Sequence, residues 1–234
     1  MRKLNSLIEL LFVVAMCMGN ISLANEKQQT KLPISLSVKE NNCSFGAFVQ
    51  ESAPAGLNVR QTPSLSGKII GKLPPVIENP DLAGFKIKIE VDVLGSKNGW
   101  FFISNAKDNT TLTGKSARSV FSGRGWVSGR KLTVKSQANK GYLQPLTTSP
   151  IAVSSNDNAG FDNDEMVRAG QLISCLGNWV LVDYSINKLS ADMVKSLNLQ
   201  AVAKTGIDKE HLQVWVNQIC AIQETSCDGT AMQK

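Results

Sequence analysis

Phe85-Lys86-Ile87-Lys88-Ile89-Glu90-Val91-Asp92-Val93 alternates apolar and charged residues without a break. A period of two puts the five apolar side chains on one face and the four charges on the other. The segment therefore reads as a β-strand with one face buried and one face wet. It runs into Leu94-Gly95-Ser96-Lys97-Asn98-Gly99, whose Asn-Gly pair suits a tight hairpin turn. Trp100-Phe101-Phe102-Ile103 then reads as the returning strand. Outward from this hairpin, further strands are expected around residues 57–60, 68–73 and 125–127.

Composition agrees with an all-β chain. Eighteen Gly and eight Pro among 234 residues point to short strands joined by many turns. With 42% hydrophobic and 19% charged residues, the chain is neither an integral membrane protein nor disordered. It holds a single histidine, which removes most of the usual hydrolase and metal-site chemistries.

The first 24 residues carry the marks of a secretory signal. Arg2 and Lys3 supply the positive start, 10–18 the apolar run, and Ser22-Leu23-Ala24 the small-x-small cleavage site. Cys17 would be the lipidated residue of a lipoprotein, but Met16 stands where a small residue is wanted. Cleavage is thus expected after Ala24, with a periplasmic or secreted product. Losing Arg2, Lys3 and Glu9 takes the net charge from +6 to +5. No later stretch approaches the ~20 apolar residues of a membrane span.

Export changes how the cysteines read. Cys43, Cys175, Cys220 and Cys227 remain, and four thiols in an oxidising compartment point to two disulfides. No C-x-x-C pair or adjacent His offers a zinc site. Three connectivities are open. No cysteine lies between Cys43 and Cys175, so if both bonds form, Cys43 must join the second half of the chain.

That second half repeats the order of the first more loosely. Residues 143–148 followed by Pro150 echo 57–62 followed by Pro63. Asn178-Trp179-Val180 matches Gly99-Trp100-Phe101, and Val214-Trp215-Val216 matches Gly125-Trp126-Val127. A repeat of about 90 residues suits two small domains rather than a solenoid. The expected division is a polar lead over 25–42, one domain over 43–137 and another over 138–234, with 136–141 as a short linker. One segment breaks the β pattern. Ser190 can cap, Asp192 suits a first turn and Gly206 a stop, so a short helix is expected over 190–204.

Three segments in order resemble the bacterial SH3 (SH3b) domain family. Gly56-Leu57-Asn58-Val59-Arg60-Gln61-Thr62-Pro63-Ser64 is similar to that family's opening strand and turn, and Gly99-Trp100 to its central strand. Gly125-Trp126-Val127-Ser128-Gly129-Arg130-Lys131-Leu132 is similar to its closing segment. The match covers residues 56–134; the second half resembles a diverged copy, and its end with Cys220 and Cys227 resembles a disulfide-bearing variant. The resemblance implies two tandem small SH3-like barrels, the second with the inserted helix. It further implies a partner in peptidoglycan or an envelope protein. A groove near Arg60, Trp100, Arg124 and Trp126 is the expected contact, although both tryptophans read more readily as core.

Chemistry-bearing motifs are sparse. His211, within Asp208-Lys209-Glu210-His211, reads as part of a solvated turn, and no G-x-S-x-G elbow accompanies it. Gly114-Lys115-Ser116 resembles the tail of a phosphate loop, but Asn109 stands where the first Gly is needed. Gly123-Arg124-Gly125 leads into Trp126 rather than a helix, so it is no dinucleotide fingerprint. Asn156-Asp157-Asn158 and Asp162-Asn163-Asp164-Glu165 are oxygen-rich, yet their spacing fits no EF-hand and they read as solvated loops. Lys115, Arg118, Arg124, Arg130, Lys131 and Lys135 read as a solvated basic face. The expected function is that of an exported, non-enzymatic binding protein without cofactor or nucleic-acid partner. The alternative is an inhibitor or immunity-type protein that blocks an exported enzyme.

Overall fold

The hairpin at the centre of the sequence is the centre of a seven-stranded antiparallel sheet. The computed structural model describes residues 41–81, 83–110, 114, 116–156, 161–200, 204–205 and 209–220. The signal at 1–24, the polar lead up to residue 40, Lys115, Asp157, Asn158 and Cys227 lie outside them. Strands β1 (Asn41–Val49), β2 (Leu57–Arg60), β3 (Ile69–Leu73), β4 (Ile77–Glu78), β5 (Lys86–Ile87), β6 (Ile89–Lys97), β7 (Trp100–Asp108), β8 (Gly125–Ser128) and β9 (Leu132–Thr133) belong to the first half. The sheet order is β3-β2-β8-β7-β6-β1-β9, while β4 and β5 pair only with each other. Asn98 and Gly99 have φ of 51° and 76°, the left-handed pair that a two-residue hairpin between right-twisted strands requires. The first strand begins at Asn41, so the last two residues of the expected polar lead are already paired, Asn41 with Ser96 and Asn42 with Gly95.

The second sheet comes from the second half. It contains β10 (Lys140–Tyr142), β11 (Ile151–Ser155), β12 (Gly170–Leu176), β13 (Trp179–Ser185), β14 (Leu197–Leu199), β15 (Lys204–Thr205) and β16 (His211–Val216). Its order is β12-β13-β16-β10-β11-β14, with β15 on β16. The fold is all-β with two short helices among the described residues, α1 (Asp164–Ala169) and α2 (Ala191–Ser196). Ser190 caps α2 through the Met193 amide at 3.2 Å, as its position suggests. The helix is shorter than the expected 190–204, because Leu197–Leu199 leaves it to pair with β11. Among the described residues no helix is long and apolar enough to cross a membrane.

The stretch read as a linker is part of the packed structure. Ser136 is fully buried, donates to the Asn217 carbonyl at 2.6 Å and accepts from the Ala138 amide. One continuous apolar cluster includes Val59, Val93, Phe101 and Val127 of the first sheet and Leu172, Val180, Val182 and Val214 of the second. The sheets approach so closely that a Cβ at Gly129 would collide with the Leu172 carbonyl and the Phe101 ring. A disulfide fixes the junction: Cys43 on β1 is bonded to Cys175 on β12, their Cα atoms 5.9 Å apart. Cys43 therefore does join the second half. Cys220 is also disulfide-bonded, to a partner outside the described residues.

Candidate functional site

Of the four residues expected to form a groove, Arg60, Trp100 and Trp126 belong to strands of the first sheet and Arg124 directly precedes one. Arg60 faces Trp126 across β2 and β8, and Phe102 faces Trp126 across β7 and β8. The Phe102 and Trp126 rings lie 5.2 Å apart, and Trp126 is buried. Arg60 donates from Nη1 to the Gly67 carbonyl at 2.7 Å, closing the turn between β2 and β3. Trp100 is half-buried at the start of β7, and Arg124 is exposed just before β8. The second sheet reproduces this register. Trp100 stands two residues before Phe102, which faces Trp126; Trp179 stands two residues before Leu181, which faces Trp215. Tyr142 faces Trp215 as Arg60 faces Trp126.

A concave site lies elsewhere, where the β4–β5 hairpin, the end of β1, the residues after β9 and α1 converge. The cavity measures about 280 Å³. Lys86, Lys88, Lys135, Arg168 and Lys188 line it, with Asp164, Gln50, Ser52, Val76, Gly84 and Phe85. Five cations thus stand around it against one carboxylate. Lys88 and Lys135 are buried, while Asp164, Arg168 and Lys188 are exposed at the rim.

Local sequence explains how each part is held. Asn163 caps α1 by accepting from the Glu165 amide at 2.8 Å, and Asp164 and Glu165 occupy the first turn. An amide-capped start with acidic residues is favourable for a helix, so the oxygen-rich run 162–165 is a helix start and not a solvated loop. Val167 and Gly170 of this region are tied to the first sheet. Gln50 Nε2 donates to the Val167 and Gly170 carbonyls at 3.1 and 2.9 Å, and Thr133 Oγ1 donates to the Val167 carbonyl at 2.7 Å. These bonds hold α1, whose Asp164 and Arg168 line the cavity together with Lys88 and Lys135. On the other wall, Lys86 pairs with Glu78 at 3.5 Å across the β4–β5 hairpin.

Lys88 is where the alternating segment departs from its expected pattern. It falls between β5 and β6, and it lines the same cavity as Asp164 and Arg168 of α1. Burial pulls its ammonium down from 10.5 to about 8, against the attraction of Asp164 and with repulsion from Lys135, Arg168 and Lys86. Burial lowers Lys135 too, with Asp164 and Asp162 opposing. The expected basic face is dispersed accordingly. Lys135 turns inward, Lys131 pairs with Glu51 at 3.1 Å, and Arg118 pairs with Asp108 at 2.6 Å.

Burial holds the Lys88 ammonium below its ordinary value, so its charged form is disfavoured in the folded chain. The unfolded chain holds more protons than the folded chain between pH 8 and 10.5, so stability rises with pH across that window. Lys88→Met should raise stability at pH 7 by about 2 kcal/mol. Urea unfolding should show this gain shrinking as pH approaches about 10, where the wild-type amine is neutral in the folded state.

His211 opens β16 instead of lying in a solvated turn; the turn is at Lys209, with φ of 55°. Its ring is half-buried, with Nδ1 3.1 Å from Asp183 Oδ1 and Nε2 3.9 Å from Glu210. The buried Asp183 carboxylate also accepts from Gln171 Nε2 at 2.9 Å. The imidazole is therefore bracketed by two carboxylates. No group of three or more metal-ligating side chains occurs among the described residues.

No protein-family model, curated protein or solved structure matches this chain.

Proposed function

We propose that the chain is an exported, non-enzymatic binding protein of the cell envelope that takes an anionic ligand in the Lys88–Lys135 cavity. The carrying observation is the set of five cations from four separate segments that line one concave space. Burial disfavours the charged form of both Lys88 and Lys135, so an anion in the cavity would find their ammonium groups already partly stripped of water. The resemblance to bacterial SH3 domains supports the wider reading. Strands β6, β7 and β8 form a meander, residues 129–131 form a 3₁₀ turn, and β9 returns to pair with β1. The Cys43–Cys175 bond is compatible with export.

Sedimentation with purified sacculi, beside crosslinking from an envelope fraction, tests the proposal. Wild-type protein should co-sediment, with retention falling as salt rises. A Lys88→Met/Lys135→Met variant should remain in the supernatant. Equal retention of the two proteins would overturn the cavity as the binding site. Specific crosslinking to one exported enzyme, without sacculus binding, would overturn the envelope ligand in favour of an inhibitor.

A further inference from the structure

Resting on the anion-binding reading, we infer that the cavity is built for a phosphate ester carried on a hydroxylated body. Its cations approach from different directions. Lys88 comes from the junction of β5 and β6, Lys135 from the segment after β9, and Arg168 from α1. A tetrahedral phosphate presents oxygens to three separated donors, whereas the two oxygens of a carboxylate share one plane. Arg168, at the rim, supplies the planar donor fork that suits phosphate. Even with Lys86 paired to Glu78 and with Asp162 and Asp164 acting on Lys135, cations outnumber carboxylates around the space, which favours a doubly charged group over a singly charged one.

The remaining walls describe the rest of the ligand. About 280 Å³ leaves room beyond a single oxyanion. Phe85 and Val76 give an apolar side against which a ring or short carbon chain can lie. Gln50 commits its amide nitrogen to the Val167 and Gly170 carbonyls, so its oxygen serves as an acceptor for a ligand hydroxyl. The Ser52 hydroxyl, exposed at the mouth, can pair with another.

Titration calorimetry of the full exported chain with glycerol phosphate, inorganic phosphate, acetate and citrate at fixed ionic strength distinguishes the levels of the claim. Glycerol phosphate should bind most tightly, and Lys88→Met and Arg168→Ala should each weaken it by about tenfold or more. Binding at pH 8 should take up protons, seen as a dependence of the heat on the buffer's ionisation enthalpy. Lys88 faces Asp164, Lys135, Arg168 and Lys86 and sits near its titration point there, and an anion restores its charge. Affinity should decline as pH rises above 8. Citrate or acetate binding in preference to both phosphates, with the same sensitivity to Lys88→Met, would overturn the phosphate assignment and leave the anion site standing. No binding of any of the four would overturn both. If glycerol phosphate binds, parallel sedimentation with sacculi before and after removal of their phosphodiester polymers separates the sources: retention lost with those polymers identifies a polymeric ligand, no retention on either preparation a soluble one, and equal retention on both would overturn the phosphate group as what the cavity takes from the sacculus.

Discussion

Replacing the Cys43–Cys175 bond by two alanines is expected to lower stability by about 4 kcal/mol. The bond closes a sequence separation of 132 residues. Loop-closure entropy for a ring of that length is worth roughly 5 kcal/mol, and measured values more often fall between about 2 and 4. Beside the apolar core that the two sheets share, hydrogen bonds also hold this junction. Ser44 donates to the Gly177 carbonyl and Gly177 to the Asn42 carbonyl, both at 2.9 Å, and the Cys175 amide donates to Ser96 Oγ at 3.2 Å. Each of these contributes near 1 kcal/mol net, so the covalent tie outweighs any one of them. A domain of ordinary stability, about 5–15 kcal/mol, would lose a large share of it. Chemical reduction would also attack the Cys220 bond, so the double Cys43→Ala/Cys175→Ala variant is the cleaner comparison. Urea unfolding monitored by tryptophan fluorescence should show the midpoint displaced to lower urea. A loss under about 1 kcal/mol would mean that the two sheets are held by packing alone.

Much of the β architecture was legible because it depends on local pattern. The Leu57–Arg60 strand lies where alternation and a Pro-Ser turn put it, and Asn98-Gly99 supplies the left-handed turn that the dipeptide promises. That Cys43 must reach the second half followed from counting. What the pattern could not supply was a strand's distant neighbours. Alternation states that Lys88 points away from Ile87 and Ile89; only the fold brings Asp164 and Arg168 of α1 to the same cavity. The signal for α1 was present. Asn163, then Asp164 and Glu165, then the buried Met166 and Val167 have the order of a helix cap, an acidic first turn and an apolar side. Taken as a cluster of oxygens, the same run suggested a loop. Ser136 misled for a related reason: a polar stretch between repeats resembles a linker, although its hydroxyl is satisfied inside the structure by Asn217 and Ala138. The paired tryptophans follow from the repeat, and Trp126 and Trp215 are buried, as the reading of Trp126 as core expects.

Asp108→Asn is expected to destabilise the protein by about 3 kcal/mol and to loosen the cavity without touching it. The Asp108 side chain is fully buried and receives Arg118 through Nη2 at 2.6 Å, Nε at 3.0 Å and the backbone amide at 2.8 Å. Neutralising one member of such a pair leaves a largely buried guanidinium without its counter-charge, which costs about 3–5 kcal/mol; Arg118's 21% exposure favours the lower end. Arg118 also donates to the Pro75 carbonyl. Pro75 precedes Val76, which lines the cavity and donates its amide to the Glu51 carbonyl at 2.8 Å. Ligand affinity should therefore fall in Asp108→Asn and in Arg118→Leu, although neither residue lines the site. Acid separates this ion pair from a merely steric defect. Burial raises the Asp108 carboxyl, but the Arg118 hydrogen bonds and charge, with the Asn109 amide, hold it below its ordinary value. A carboxylate lowered on folding contributes stability above its unfolded value, near 4, and loses it as pH falls through the folded one. Urea midpoints of the wild type should therefore drop as pH falls below about 4, while those of Asp108→Asn should decline less over the same range. Parallel acid profiles for the two proteins would show that Asp108 is not ionised in the fold, and the account of how Arg118 anchors the cavity wall would fail with it.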